Sequence, residues 1–269
     1  MRVLILLPPS EGKTAPASGP SLELGSLLDA ERLTPPRREV MSALAEVSRR
    51  PDGPSVLGLG PRSAELAEAN LSLEASPCAP AYQLFTGVLY EAAGLDSIAR
   101  NTAGRRALER HCVIFSGLWG VLSPADSVPN HRLSMGTFLP GPGRLSSFWK
   151  RHLEPSLTGM AAHGLVVDCR SADYVAAWRP SVRDSIEVMT VRVVRVDDDG
   201  CRKVVSHMAK QARGLLTGEL LKAVCAQSLP AQAQADDVAG VAGQLDGVHD
   251  VEVSEPDRQG RRVLTVVTR

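Results

Sequence analysis

Three short apolar runs in this chain are each followed by polar or charged side chains. Val3–Leu7, Cys112–Phe115 and Leu165–Val167 are continuous enough to predict buried strands. If these strands are neighbours, the side chains that follow them meet at one edge of the sheet, where open α/β sheets bind ligands. We therefore expect one shared site there, to which we assign Ser10, Glu11, Lys13, Ser116, Arg132, Asp173 and Tyr174.

This set suits acid–base chemistry on an anion. Lys13, Asp173 and Tyr174 are candidate catalytic residues because each can exchange a proton, and Arg132 can hold a negative charge. Such a mixture is richer than anion binding alone requires. It predicts an enzyme that acts on a small anionic or nucleotide-like substrate.

Lys210 and Arg213 lie on one stripe of a predicted helix, His207–Val224, away from its apolar face. Because they are three residues apart, both heads can reach one anion, and arginine can hold it with a bidentate fork. We count both as anion-binding candidates and Lys210 also as a catalytic one. The alternative is that this stripe is an ordinary solvated face.

A glycine-rich segment, Leu57–Ala64, offers a second kind of anion site. Gly58 and Gly60 allow a tight hairpin that presents backbone N–H groups, and Arg62 stands at the start of the following helix. The pattern is typical of a helix-hairpin-helix, which contacts nucleic-acid backbone and does not read sequence. An ordinary turn between two helices is the alternative interpretation.

The longest irregular stretch runs from Phe115 to Gly136. Its large apolar residues argue against disorder, and we expect two of them, Trp119 and Met135, to line the cleft. The alternative is a packed crossover whose polar residues pair with buried backbone.

Gly12-Lys13-Thr14 has the ending of a phosphate-binding loop. That motif requires a glycine five residues before Gly12, and position 7 is leucine. The sequence therefore argues against a nucleotide triphosphatase of this type.

The composition of the 269 residues is that of an ordinary globular protein with a formal net charge of zero. Zero net charge provides no general attraction for nucleic acid. Five scattered cysteines without a CxxC pair indicate reduced thiols and a cytoplasmic protein. We expect no bound metal or other cofactor, since no ligand set has recognisable metal spacing. No apolar segment predicts a membrane span or a targeting peptide.

Further periodic segments complete an α+β pattern. Helices are predicted from Pro35, after a Thr34 cap, to Ser48, and over Ser146–Met160. Paired strands are predicted over Ile186–Val196 with Lys203–Ser206, and over Val248–Val253 with Val263–Val267.

In this order, six segments resemble those of the YaaA peroxide stress protein family: Leu7–Thr14, Phe85–Tyr90, Phe115–Gly136, Phe148–Trp149, Ser171–Tyr174 and Met208–Gly214. The resemblance implies one α+β domain over residues 1–269, with the family's own unusual fold, a mixed sheet, a helix-hairpin-helix and a positively charged cleft. It also implies DNA binding and protection of cells under peroxide stress. This chain has Trp119 and His131 where the family typically has tyrosine, and Ser123 where it often has arginine.

Two functional hypotheses therefore stand side by side. In the first, the protein binds double-stranded DNA through its backbone, without sequence specificity, and the basic groups are Arg62, Arg132, Lys210 and Arg213. In the second, the same cleft is an enzyme site for a small anionic ligand. A shared basic face would favour DNA, whereas a pocket that holds Glu11 and Asp173 would favour chemistry.

Overall fold

The structure, a computed structural model, describes residues 3–162, 164–180, 186–197, 199, 201–203 and 206–268. Its fold is α+β. The strands are β1 Val3–Leu7, β2 Cys78–Pro80, β3 Cys112–Ser116, β4 Gly120–Leu122, β5 Ser127–Pro129, β6 Phe138–Leu139, β7 Gly143–Arg144, β8 Leu165–Asp168, β9 Glu187–Val196, β10 Arg202–Lys203, β11 Val248–Val253 and β12 Arg261–Thr268. The helices are α1 Ala30–Ser48, α2 Gly53–Val56, α3 Ala81–Leu84, α4 Val88–Ala93, α5 Leu95–Ile98, α6 Thr102–His111, α7 Leu145–Ala161, α8 Ala172–Ala177, α9 Ser206–Cys225 and α10 Ala235–Gly243. Leu24–Ser26 and Pro61–Leu71 are 3-10 helices.

The main sheet is mixed. Its strand order is β11-β12-β9-β8-β1-β3-β4, and β10 pairs with β9. The three predicted strands are neighbours, as expected, with β1 between β8 and β3 and parallel to both. All their residues are buried, which explains why each is a continuous apolar run. Because the strands are parallel, Leu7, Ser116 and Asp168 end at the same edge.

The other predicted pairings also form. β11 and β12 make an antiparallel pair, and β12 then runs parallel to β9. β9 pairs with β10, which shares only Lys203 with the predicted strand Lys203–Ser206. Residues 204 and 205 lie outside the described residues, and the prediction is wrong at Ser206, which begins α9. The helices predicted over Ser146–Met160 and His207–Val224 are confirmed as α7 and α9.

Helix α9 packs closely against α4, and glycine makes this approach possible. A Cβ atom on Gly214 would lie 2.2 Å from the Leu89 carbonyl oxygen. Only a residue without a side chain lets the two helices approach this closely.

The predicted start of α1 is wrong. The helix begins at Ala30, so Pro35 and Pro36 lie inside it. The extra turn is stabilised by Leu33, which is completely buried, and its N–H donates to the Asp29 carbonyl oxygen at 2.9 Å. Burial of this turn outweighs the N–H groups that the prolines lack.

The glycine-rich hairpin is flanked by elements other than those predicted. A one-turn helix, Gly53–Val56, precedes it and a 3-10 helix, Pro61–Leu71, follows it. Residues 53–71 therefore do not contain the two α-helices of a helix-hairpin-helix. Among the described residues, no helix is both long and apolar enough to cross a membrane.

Candidate functional site

The chain that leaves β1 is held against residues 84–86. The Thr14 N–H donates to Leu84 O at 2.9 Å, the Thr86 N–H donates to Gly12 O at 3.0 Å, and Ser10 donates its hydroxyl to Thr86 O. Gly87 follows with a φ of +97°, and a Cβ there would lie 3.1 Å from Ser10 Oγ. These bonds fix the backbone of Lys13 next to the sheet edge.

The Lys13 amine is held in an unusual environment. Its Nζ donates to the Ser10 carbonyl oxygen at 3.0 Å and lies 5.3 Å from the centroid of the Phe85 ring. Burial lowers the pKa of Lys13 from 10.5 to about 7, the positive charge of Arg132 adds to this shift, and the negative charge of Glu11 opposes it. Near neutral pH the amine therefore exists in both protonation states, as a general acid or base requires.

Arg132 is positioned through its backbone. Its N–H donates to Asn70 Oδ1 at 2.8 Å, and Asn70 Nδ2 donates to its carbonyl oxygen at 3.0 Å. Asn70 is buried on the 3-10 helix. It is a positioning residue that the sequence analysis missed, because a single asparagine carries no motif.

His131 is buried beside Lys13. Its Nδ1 lies 2.9 Å from the Pro129 carbonyl oxygen, and its ring meets those of Trp119 and Phe85 edge-on, with centroids 5.6 and 6.2 Å away. Burial lowers the pKa of His131 to about 3, and the charge of Lys13 acts in the same direction. The ring is therefore neutral, and Nδ1 carries the proton because a carbonyl oxygen can only accept.

Asp173 and Tyr174 reach the same region from α8. A Cβ on Gly136 would lie 3.3 Å from Asp173 Oδ2, so this carboxylate sits against the loop that carries Arg132. Burial raises the pKa of Tyr174 to about 12, hydrogen bonds from the Met135 backbone and the Ser134 side chain oppose this shift, and the charges of Asp173 and Glu11 reinforce it. The phenol is neutral and remains a hydrogen-bond donor.

These contacts and charges bring together six side chains, which we call the Lys13 cluster: Glu11, Lys13, His131, Arg132, Asp173 and Tyr174. Five of them are predicted members of the shared site. His131 was noted in the sequence only as a departure from the family's tyrosine.

A buried arginine, Arg170, contacts the backbone of one cluster member. Arg170 pairs with Asp168 at the end of β8, and its Nη1 donates to the Tyr174 carbonyl oxygen at 3.2 Å. Its guanidinium carbon lies 4.3 Å from the centroid of the Phe115 ring. Arg170 therefore connects β8 and β3 to α8. The sequence signal that could have identified Arg170 is its position two residues after the buried strand β8.

The remaining predicted cleft residues, Ser116, Trp119 and Met135, are buried. Ser116 Oγ accepts the N–H groups of Leu118 and Trp119, both at 3.2 Å. Trp119 and Met135 are completely buried. At Ser116, whose hydroxyl pairs with buried backbone, the packed-crossover interpretation of the central stretch holds.

The other anion-binding candidates make none of the contacts described for the Lys13 cluster. Arg213 donates from Nε and Nη2 to the Val191 carbonyl oxygen, at 3.1 and 2.8 Å, so its fork holds β9. Lys210 is exposed, as are Gly58, Gly60 and Arg62. None of these residues is among those whose hydrogen bonds, ring contacts or charges define the Lys13 cluster.

Comparison with known proteins identifies related chains. A family model described as peroxide stress protein YaaA matches residues 3–236, which include the whole Lys13 cluster. A UPF0246 protein of Streptomyces coelicolor is 37% identical over 261 residues, covering 96% of this chain and 95% of its own. UPF0246 proteins of Corynebacterium glutamicum and Corynebacterium efficiens are 36% and 34% identical over 269 residues, each covering 98% of this chain and 100% of its own.

Proposed function

This chain belongs to the peroxide stress protein YaaA family, and we propose that it is an enzyme which binds a small anionic substrate at the Lys13 cluster and uses the Lys13 amine to transfer a proton. The observation that carries the proposal is the position of that amine. It is partly buried, next to a second cation, and its pKa is lowered to about 7. Perturbed groups of this kind concentrate at functional sites.

The members of the cluster would have different roles in binding and proton transfer. Arg132 supplies a permanent positive charge for the anion, whereas Lys13 alternates between amine and ammonium. Tyr174 supplies a neutral hydroxyl. Glu11 and Asp173 provide carboxylates that can accept hydrogen bonds from the substrate or take part in proton transfer.

Lys13 and Arg132 are both partly buried, and their charges repel each other, an effect on the Lys13 pKa that Glu11 opposes. A bound anion would offset this repulsion and raise the pKa of Lys13. Binding and the protonation state of Lys13 are therefore coupled, which makes the proposal measurable in solution.

Duplex DNA binding, which the family resemblance implies, is the competing hypothesis. It depends on Arg62 and Lys210, because both are exposed, whereas the guanidinium of Arg213 is occupied by the Val191 carbonyl oxygen. Zero net charge and the one-turn helix before the hairpin give it less support. Each neutralised phosphate should contribute a slope of about −0.9 in log K against log salt.

Titration calorimetry with inorganic phosphate and with adenosine monophosphate tests the proposal. Wild type should bind at least one of them, and Lys13→Met should weaken binding by about tenfold or more, since a hydrogen-bonded charge is removed. Lys210→Met is the matched control and should bind like wild type. Equal losses in the two variants would contradict the assignment of the site.

The same proteins decide between the hypotheses when they are titrated with duplex DNA at low salt. If the site serves a small anion, Arg62→Ala and Lys210→Met leave phosphate binding unchanged. If wild type binds duplex but neither small anion, and Arg62→Ala lowers the salt slope by about one contact, DNA binding replaces the proposal.

A further inference from the structure

Three buried polar atoms between residues 119 and 132 have no hydrogen-bond partner in the described part of the chain. They are Trp119 Nε1, Asn130 Oδ1 and Arg132 Nε. Buried polar atoms are nearly always paired, because leaving one unpaired is unfavourable. A group of two donors and one acceptor in a single loop therefore points to an external partner.

All three atoms belong to residues around His131. Trp119 meets its ring edge-on at 5.6 Å, and Asn130 and Arg132 are its neighbours in the chain. The Nδ1–H of His131 already donates to the Pro129 carbonyl oxygen. It is therefore not the donor that Asn130 Oδ1 lacks. Since the charges of Lys13 and Arg132 both act on His131, each of the three atoms belongs to a member of the Lys13 cluster or to a residue beside His131, which is itself a member.

A second tryptophan, Trp149 on helix α7, shows what an indole with a hydrogen-bond partner looks like. Trp149, which is also completely buried, donates its Nε1–H to the Gly117 carbonyl oxygen at 2.8 Å. The two tryptophans thus share burial and side-chain type but differ in whether the N–H group has a partner. Single unpaired atoms also occur elsewhere in the described residues, at Arg37 Nη1, Thr158 Oγ1 and Trp178 Nε1, so it is the clustering of three of them around His131 that distinguishes this loop.

We propose that Trp119 Nε1 and Arg132 Nε donate to an oxygen of the anion bound at the Lys13 cluster, and that Asn130 Oδ1 accepts a hydrogen bond from an O–H group of the same anion. This inference rests on the proposed function and narrows its ligand class. The ligand is an oxyanion that also carries a hydroxyl, such as hydrogen phosphate or a small hydroxy acid. Sulfate has the same shape as phosphate but no O–H group near neutral pH, so it should bind more weakly.

The indole N–H resonances of the wild-type protein test this without any substitution. In ¹⁵N-labelled protein, saturating phosphate should move the Trp119 indole resonance, because its N–H gains an acceptor. The Trp149 resonance should stay in place, since its bond to Gly117 is already made. A Trp119 resonance that stays fixed while calorimetry records phosphate binding would overturn the inference and leave the proposed function standing. If calorimetry detects neither phosphate nor adenosine monophosphate, the proposed function itself fails.

A pair of matched variants separates ligand binding from folding. Trp119→Phe removes an N–H group without a protein partner, so phosphate affinity should fall by about tenfold while the denaturation midpoint drops less than in Trp149→Phe. Trp149→Phe leaves Gly117 O unpaired and should lower the midpoint while keeping phosphate affinity. Unchanged phosphate affinity in folded Trp119→Phe, or equal affinity of wild type for sulfate and phosphate, would count against the inference.

Discussion

Arg170 and Asp168 form a buried bidentate ion pair, with Nε 2.8 Å from Oδ1 and Nη2 2.7 Å from Oδ2. Their side chains are 1% and 4% exposed. Because Asp168 ends β8 and Arg170 also donates to the backbone of Tyr174, this pair determines where α8 begins relative to the sheet. The position of two members of the Lys13 cluster thus depends on an interaction outside it.

Breaking this pair should destabilise the protein strongly. Asp168→Asn leaves the buried Arg170 without its charge partner, and the expected loss in the free energy of unfolding is about 3–5 kcal/mol. Denaturant titration measures it. The control is Asp52→Asn, which breaks a surface pair with Arg50 whose side chains are 55% and 45% exposed, and its free energy of unfolding should change far less, because exposed ion pairs contribute little. If the two variants lose similar free energy of unfolding, the buried pair between Arg170 and Asp168 stabilises the protein no more than a surface pair does.

Removing the Lys13 amine should stabilise the protein most at low pH. Since the folded pKa is about 7 and the ordinary value is 10.5, the unfolded state binds more protons between these values, and wild type gains stability as the pH rises through that window. Below the folded pKa the whole penalty is present. The advantage of Lys13→Met over wild type should therefore be largest near pH 6 and smaller near pH 9. A constant advantage of Lys13→Met across this range would contradict the lowered pKa.

His131 should make the protein sensitive to acid. Its pKa is lowered from 6.5 to about 3, so the unfolded state binds more protons between these values and stability falls as the pH drops through that window. His131→Phe keeps a buried ring and removes the titration, so its stability should depend less on pH over that interval. Denaturation at a series of pH values measures this. Identical pH profiles for wild type and His131→Phe would refute the lowered pKa of His131.

Two glycine substitutions should have opposite effects on stability. Gly214→Ala places a Cβ 2.2 Å from the Leu89 carbonyl oxygen and 2.8 Å from Ala92 Cβ, which forces α9 away from α4. We expect a loss of about 1–3 kcal/mol, as for other overpacked sites. Gly240→Ala lies in α10 with no atom within 4 Å of the new Cβ, and it should gain about 0.5–1 kcal/mol from helix propensity. Thermal unfolding compares them, and a stable Gly214→Ala would mean that the two helices separate easily.

Local patterns predicted the strands well and the element boundaries less well. β1, β3 and β8 are buried on both faces, and this requires continuous apolar runs that any reader of the sequence can see. The start of α1 was missed because the burial of Leu33, a tertiary effect, outweighs the local signal of Pro35.

Which charged residues meet was harder to predict. Lys210 and Arg213 share a stripe in the sequence, yet Arg213 turns to the Val191 carbonyl oxygen and Lys210 stays exposed. Helical spacing determines only where each Cα–Cβ bond points, whereas the unpaired acceptor that a long side chain reaches depends on the neighbouring strand.

The sequence by itself therefore determined the buried parallel strands, the long helix α9 and the delivery of polar residues to one sheet edge, because each follows from the periodic burial of apolar side chains. Only the tertiary structure decided that Arg132 and Glu11 act on Lys13 and that Glu11 also acts on Tyr174. Their pKa shifts depend on burial and on charges from distant parts of the chain. Electrostatic interactions act through space, and the distances between such residues exist only once the chain has folded.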